Sequence, residues 1–144
     1  MQSQKATISV YTRRSDLIAV ATGFTTMGVG FETGPAIKLP LDATASEVGS
    51  AILMLFDECG LIVEHPKTFG GSDMPVLQQA GSSSWTAFMK TQPELFMVSL
   101  TEFLISIEFW KRDGKGFCAD ESRQVISFPR DISPTVLGDA ILGR

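Results

Sequence analysis

The stretch GVGFETGPAIKLPLDATASEVGSAIL, Gly28 to Leu53, has a counterpart in GKGFCADESRQVISFPRDISPTVLGDAIL, Gly114 to Leu142. Gly28, Gly30 and Phe31 match Gly114, Gly116 and Phe117. Further on, Pro40, Asp42, Gly49, Ala51, Ile52 and Leu53 match Pro129, Asp131, Gly138, Ala140, Ile141 and Leu142. The pattern P-x-D-x6-G-x-A-I-L thus occurs twice at one internal spacing, which reads as a pseudo-two-fold internal repeat. Each copy opens on a Gly-x-Gly-Phe turn. A short strand follows, Ala36 to Leu39 or Gln124 to Phe128, and a proline that cannot donate to a ladder ends it. Each copy then enters a helix. Thr44 and Glu47 form a T-x-x-E capping box at the first. Ser133 caps the second, with Pro134 at its first position, where a missing N–H costs nothing. Val48, Ala51, Ile52, Leu55, Phe56 and Cys59 make one apolar stripe, and Leu137, Ala140 and Ile141 make another. Glycine inside a helix costs about 1 kcal/mol against alanine. The recurrence of Gly49 and Gly138 therefore predicts a close approach of each helix to a neighbour.

Outward from the repeat, the chain reads as strands and turns. Ala6–Tyr11 alternates apolar with small or polar residues, Leu17–Thr22 follows a polar turn over 12–16, and Phe24–Met27 reads as a third short strand. In the second half Ser84–Lys90, Leu95–Leu100 and Phe103–Trp110 read as strands. The last puts Phe103, Ile105, Ile107 and Phe109 on one face and Leu104, Ser106, Glu108 and Trp110 on the other. Between the halves, the Gly- and Pro-bearing stretch from Glu64 to Ser83 reads as a linker with a short helical turn near Val76–Ala80. The expected architecture is α+β: two antiparallel β-meanders, each followed by a helix. They form one domain over residues 1–144, with halves about 1–60 and 81–144 and a linker about 61–80. This order resembles the Whirly-type arrangement of two four-stranded sheets with helices packed across them.

Composition narrows the function. The chain has 144 residues, 44% hydrophobic and 19% charged, and ten Phe fill a sizeable globular core. The net charge of −4 argues against a phosphate-tracking surface and suits a basic partner. No apolar stretch approaches the ~20 residues of a membrane span. The start, MQSQKATISV, lacks the charged segment and apolar run of a secretory signal. A soluble, cytoplasmic protein that does not engage a membrane is expected. Cys59 and Cys118 lie far apart, outside any C-x-x-C, and read as free thiols.

A search for chemistry finds no constellation. The one histidine, His65, sits beside Pro66 in the linker and reads as solvated, with no Ser or Cys forming a dyad with it. One His and two separate Cys supply no zinc set. Asp57–Glu58 and Asp73 lack the spacing of a calcium loop. The Gly-x-Gly-Phe motifs lack the rest of a dinucleotide fingerprint and any P-loop lysine. No enzyme, cofactor or metal is expected. Lys111, Arg112 and Lys115 cluster near Trp110, which could stack a base, although a solvated hairpin turn accounts for them more simply. What remains is a binding surface. Its candidate contact residues, chosen on charge and exposure, are Asp57, Glu58, Glu108, Trp110, Asp113, Asp120 and Glu121, with Trp110 as the anchor.

Three runs carry a family resemblance: SSSWTAFMKTQPELFMVSL, IEFWKRDGKGF and ISFPRDISPTVLGDAIL. With Trp85 and Phe88, the glycine turn at Gly114, Gly116 and Phe117, and the proline-led helix carrying Leu137–Gly138–x–Ala140, the chain resembles the immunity proteins of contact-dependent growth inhibition, the CdiI group. The resemblance spans roughly residues 81–142, and the first half joins it through the repeat. It implies a cytosolic immunity protein that binds a cognate CdiA C-terminal toxin domain, a basic nuclease (a tRNase being one form), and blocks its active site. No direct nucleic-acid contact is implied. The family brings no catalytic residues to carry over. Two other classes remain open on the residues alone, a single-stranded nucleic-acid-binding module and an adaptor.

Overall fold

In a computed structural model, residues 6–65 and 74–143 are described. β1 (Ala6–Thr12), β2 (Asp16–Thr25) and β3 (Gly30–Pro40) form a meander, and α1 (Ala45–Phe56) follows it. A short β4 (Ile62–Val63), α2 (Pro75–Ala80) and α3 (Trp85–Met89) come next. β5 (Glu94–Leu100), β6 (Leu104–Asp113), β7 (Gly116–Ala119) and β8 (Ile126–Pro129) build the second meander, and α4 (Pro134–Leu142) ends the described chain. The fold is α+β, as the sequence predicts.

The two meanders do not form separate sheets. β1, the first strand of one, pairs with β5, the first strand of the other, from Ala6↔Leu100 to Thr12↔Glu94. The result is one eight-stranded sheet in the order β3-β2-β1-β5-β6-β7, with β4 beside β2 and β8 beside β6. Joining the meanders removes two strand edges that would otherwise be exposed. The expected pair of four-stranded sheets gives way to this single sheet.

The central strands are buried on both faces. Ile8, Val10, Leu17, Ala19 and Ala21 lie in a core shared with Val48, Ile52 and Leu55 of α1 and Leu137 and Ile141 of α4. Tyr11, Ile18, Val20 and Leu95 face the other way, onto Val76 and Leu77 of α2 and Phe88 of α3. Two-sided cover is why the run Leu17-Ile18-Ala19-Val20-Ala21 does not alternate in polarity.

The caps form as their residues dictate. Thr44 Oγ1 accepts from Glu47 N at 3.1 Å, and Glu47 Oε1 accepts from Thr44 N at 3.3 Å. Ser133 Oγ accepts from Val136 N at 3.2 Å. The helical glycines meet as expected of a close approach. A Cβ on Gly49 would run into the carbonyl of Pro134, and a Cβ on Gly138 into that of Ala45. Each glycine thus faces the first residue of the opposite helix, and the two helices pass in opposite directions with their backbones in contact.

Several local expectations change. The stretch Ser84–Lys90, expected as a strand, holds the helix Trp85–Met89, because Ser84 caps it by accepting from Ala87 N at 3.1 Å. Its aromatic residues then cluster: Trp85 and Phe88 pack against Tyr11, and Trp85 against Phe117. Phe24 and Thr25 continue β2 rather than opening a third strand, and the chain turns beyond them. In each Gly-x-Gly-Phe motif the first glycine turns, at φ 82° and 59°, while the second begins a strand. α1 ends at Phe56, so Cys59 leaves the helical stripe, and its thiol donates to Thr7 O at 3.3 Å. Part of the expected linker is structural, since Val76 and Leu77 of α2 are fully buried. Residues 66–73, Asp73 among them, lie outside the described residues.

Candidate functional site

The end of β2 carries the most unusual surface. Phe24 pairs with Gly30 of β3 on one side and Ile62 of β4 on the other. Just beyond, the buried hydroxyl of Thr25 accepts from the amides of Met27 at 3.1 Å and Val29 at 3.2 Å, and His65 Nδ1 lies 3.0 Å from it. His65, expected to be solvated, is therefore half-buried and bonded. With its polar groups turned inward, this corner presents Phe24, Met27, Val29, Leu61 and Ile62 to solvent; Met27 and Ile62 are each more than 70% exposed. Contiguous apolar surface of this kind marks an interaction site more often than chance exposure does.

The rim of the corner is acidic. Asp57 is the C-cap of α1, Glu58 follows it, and Glu64 follows β4; all three are exposed. The Gly60 amide donates to Thr22 O at 2.9 Å, which ties this segment to β2. Negative charge at a helix C-terminus is disfavoured by about 0.3–1 kcal/mol per group, and the last turn of α1 holds no basic residue to offset it. A local rule broken without a folding benefit is the pattern of a surface kept for binding.

A groove of about 400 Å³ leads from the corner across the second sheet face, lined by Ser9, Tyr11, Phe31, Glu32, Met97 and Trp110 among others. The Tyr11 hydroxyl donates to both oxygens of Glu32, at 2.6 and 3.0 Å. Burial pushes the Glu32 carboxyl up to about 7, against the lowering effect of the tyrosine bond. Burial, with the carboxylate beside it, holds the Tyr11 hydroxyl well above the ordinary tyrosine range. Beside the groove a row of hydroxyls crosses four strands, Thr7↔Ser99↔Ser106↔Ser127. Ser106 and Ser127 bond at 3.0 Å. This stretch of sheet is polar where the neighbouring stretch, under α2 and α3, is apolar.

The residues singled out from sequence fall in different places. Asp57 and Glu58 border the corner. Glu108 and Trp110 are brought together, the indole N–H donating to Glu108 Oε1 at 2.6 Å. Trp110 is only partly buried, packed against the Tyr11 cluster at the far side of the groove. Asp113 lies opposite Gly116 at the β6–β7 hairpin. Asp120 accepts from Ser122 N at 3.1 Å and Ser122 Oγ at 2.6 Å; these bonds, chiefly that of the hydroxyl, lower its carboxyl below the usual range. Glu121 is exposed beside it. The seven do not form one patch. Sequence reasoning missed Phe24, Met27, Val29, Leu61 and Ile62; the signal was apolar residues flanking Gly28, Gly30 and Gly60, where a solvated turn has no need of them. Among the described residues no group of three or more His, Cys, Asp or Glu could hold a metal ion. No helix among them is long and apolar enough to cross a membrane.

No known protein family matches the sequence, and no curated protein does. Solved structures do match the fold. A structure titled CdiA-CT/CdiI toxin and immunity complex, from Yersinia pseudotuberculosis, superposes with a TM-score of 0.69 over 98% of this chain and 95% of that one. The fold is shared with a chain of a toxin and immunity complex. Identity there is 9%, so the likeness is one of backbone architecture and not of surface residues. A protein of unknown function from Neisseria meningitidis is similar too, at a TM-score of 0.68 and 16% identity, over 96% of this chain and 92% of that one.

Proposed function

We propose that this chain is an immunity protein of contact-dependent growth inhibition, which binds the C-terminal toxin domain of a cognate CdiA protein and keeps it inactive. The observation that carries the reading is the shared architecture with a chain of a CdiA-CT/CdiI complex over nearly its whole length. The acidic-rimmed corner supports it: an apolar centre with a charged border is the anatomy of a protein-binding site. Within this reading the toxin is a basic nuclease, a tRNase being one form, and the protein acts in the cytoplasm without catalysis of its own. Asp57 and Glu58 steer the toxin by charge. Phe24, Met27 and Ile62 supply the buried contact, and Glu108 with Trp110 marks the far end of the groove. Blockade of the toxin's active site is the simplest inhibition such a surface can provide.

The test is co-expression of the tagged chain with the toxin domain encoded beside its gene. Co-elution as a stable complex, survival of the cells and loss of nuclease activity are the expected results. If no complex forms and the cells die, the immunity assignment for that pair is wrong. A complex insensitive to Ile62→Asp and Met27→Asp would place the interface away from the corner.

A further inference from the structure

At the opposite end of β2 the surface changes sign. Two adjoining cavities, about 590 and 440 Å³, share Arg13, Arg14 and Gln92 in their walls. Lys90 lines the smaller and Arg123 the larger. The floor of the larger is apolar: Phe96 and Phe109 meet edge to face with ring centroids 5.4 Å apart, and Ile141 lies beside them. The Arg123 guanidinium lies 3.7 Å from the centre of the Phe109 ring, which holds its planar cation over the cavity mouth.

The charge here is unbalanced. Arg13 is paired with Asp16 at 2.6 Å, and Glu94 is the one carboxylate that lines the larger cavity. Arg14 and Lys90 have no ion-pair partner among the described residues, and Arg123 stands near Asp120, whose carboxyl its charge helps to lower. They gather on a chain whose net charge is −4, where cations would be expected to disperse among the more numerous carboxylates. Gln92, on the rim of both cavities, has φ 57°, a left-handed conformation that a non-glycine residue adopts at a cost. Strain held at the mouth of a cavity is more common at binding sites than elsewhere.

We infer that this end of the molecule is a second docking site, for a protein segment that carries acidic residues around a bulky apolar side chain. The apolar residue enters the larger cavity against Ile126, Leu142 and the edge of Phe96, beside the Arg123 guanidinium that covers Phe109. Its flanking carboxylates meet Arg14, Lys90 and Arg123, the planar guanidinium of Arg123 being suited to bidentate pairing. This polarity is opposite to that of the corner, so the two ends accept different surfaces. The site does not rest on the immunity reading, because it is argued from its own charge and shape.

The probe is a capped synthetic peptide, Glu-Asp-Phe-Glu-Leu-Glu, titrated into the full-length protein by calorimetry and by amide chemical shifts. Saturable binding that weakens with salt, with shifts centred on Gln92, Arg123 and Ile141, is expected. Reversing two charges in Arg14→Glu/Arg123→Glu weakens it about tenfold, as does the Gln-Asn-Phe-Gln-Leu-Gln analogue. Arg14→Gln, on an exposed side chain, gives a smaller loss with the fold undisturbed. Equal affinity for the neutral analogue, unchanged affinity of the double variant, or no saturable binding would each overturn the site. Toxin protection is read separately, on the parent protein: a parent that binds the peptide but fails to protect cells counts against the immunity reading alone, whereas a parent that protects cells but does not bind the peptide counts against this site alone.

Discussion

Replacing Gly49 by alanine tests the helix contact at the centre of the fold. In a solvated helix this change stabilises by about 1 kcal/mol, because alanine loses less backbone entropy. Here the added methyl meets the Pro134 carbonyl, a backbone atom that no rotamer change can remove. The helices must part, and a gap of about 0.5–1 Å already forfeits a quarter to a half of each dispersion contact. The fully buried Val48, Ile52 and Leu137 share that interface. Overpacking of this kind costs typically about 1–3 kcal/mol and occasionally more. With backbone as the obstacle, the net loss expected for Gly49→Ala is about 2–4 kcal/mol, despite the gain in propensity. Gly138→Ala, which strikes Ala45, should cost a similar amount. Because either substitution parts the same helices, the double variant should lose less than the sum, with a coupling of about 1 kcal/mol or more. Urea denaturation gives the numbers as shifts in midpoint at constant slope. A Gly49→Ala protein as stable as the parent would refute the reasoning, since it would mean the helices are not in backbone contact.

Glu32 links stability to pH. Its carboxyl, ordinarily near 4.5, stands at about 7 in the fold, so the folded state favours the protonated form. That contribution is full below about 4.5 and is lost as pH rises through about 7. Glu32→Gln keeps an acceptor for Tyr11 and removes the titration. It should match the parent at pH 4 and exceed it by on the order of 2 kcal/mol at pH 8; parallel pH profiles in denaturant titrations would show that Glu32 is not desolvated. Trp85 Nε1 donates to Lys115 O at 2.6 Å and so clips α3 to the β6–β7 hairpin. Trp85→Phe should cost about 1 kcal/mol and speed amide exchange in that hairpin before the rest of the sheet. The Cys59 thiol donates to two carbonyls, and burial pushes its pKa up. Cys118 should therefore alkylate well ahead of Cys59 at pH 8, as peptide mapping after a short iodoacetamide pulse would show.

Much of this molecule was legible in the amino-acid order, because the deciding interactions are local. The Thr44–Glu47 box, the Ser133–Pro134 start and the prolines closing β3 and β8 lie within a few residues of what they control. The two glycines could be read as contact points because a helix rarely tolerates them otherwise. Asp57 and Glu58 were placed on a surface by charge alone. The rest depended on distant partners. Pairing of β1 with β5, which makes one sheet from two meanders, joins residues far apart in the chain, from Ala6 with Leu100 to Thr12 with Glu94, by hydrogen bonds that any extended backbone can offer. The run at Ser84–Met89 suits a strand by its aromatic content, and only the Ser84 cap and the pocket formed by Tyr11 and Phe117 make it a helix. The apolar corner and the basic cavities were likewise assembled only by the fold. Phe24 meets Ile62, and Arg14 meets Lys90 and Arg123, only after the sheet has closed, and a side chain's exposure is decided by which neighbours the fold brings to cover it.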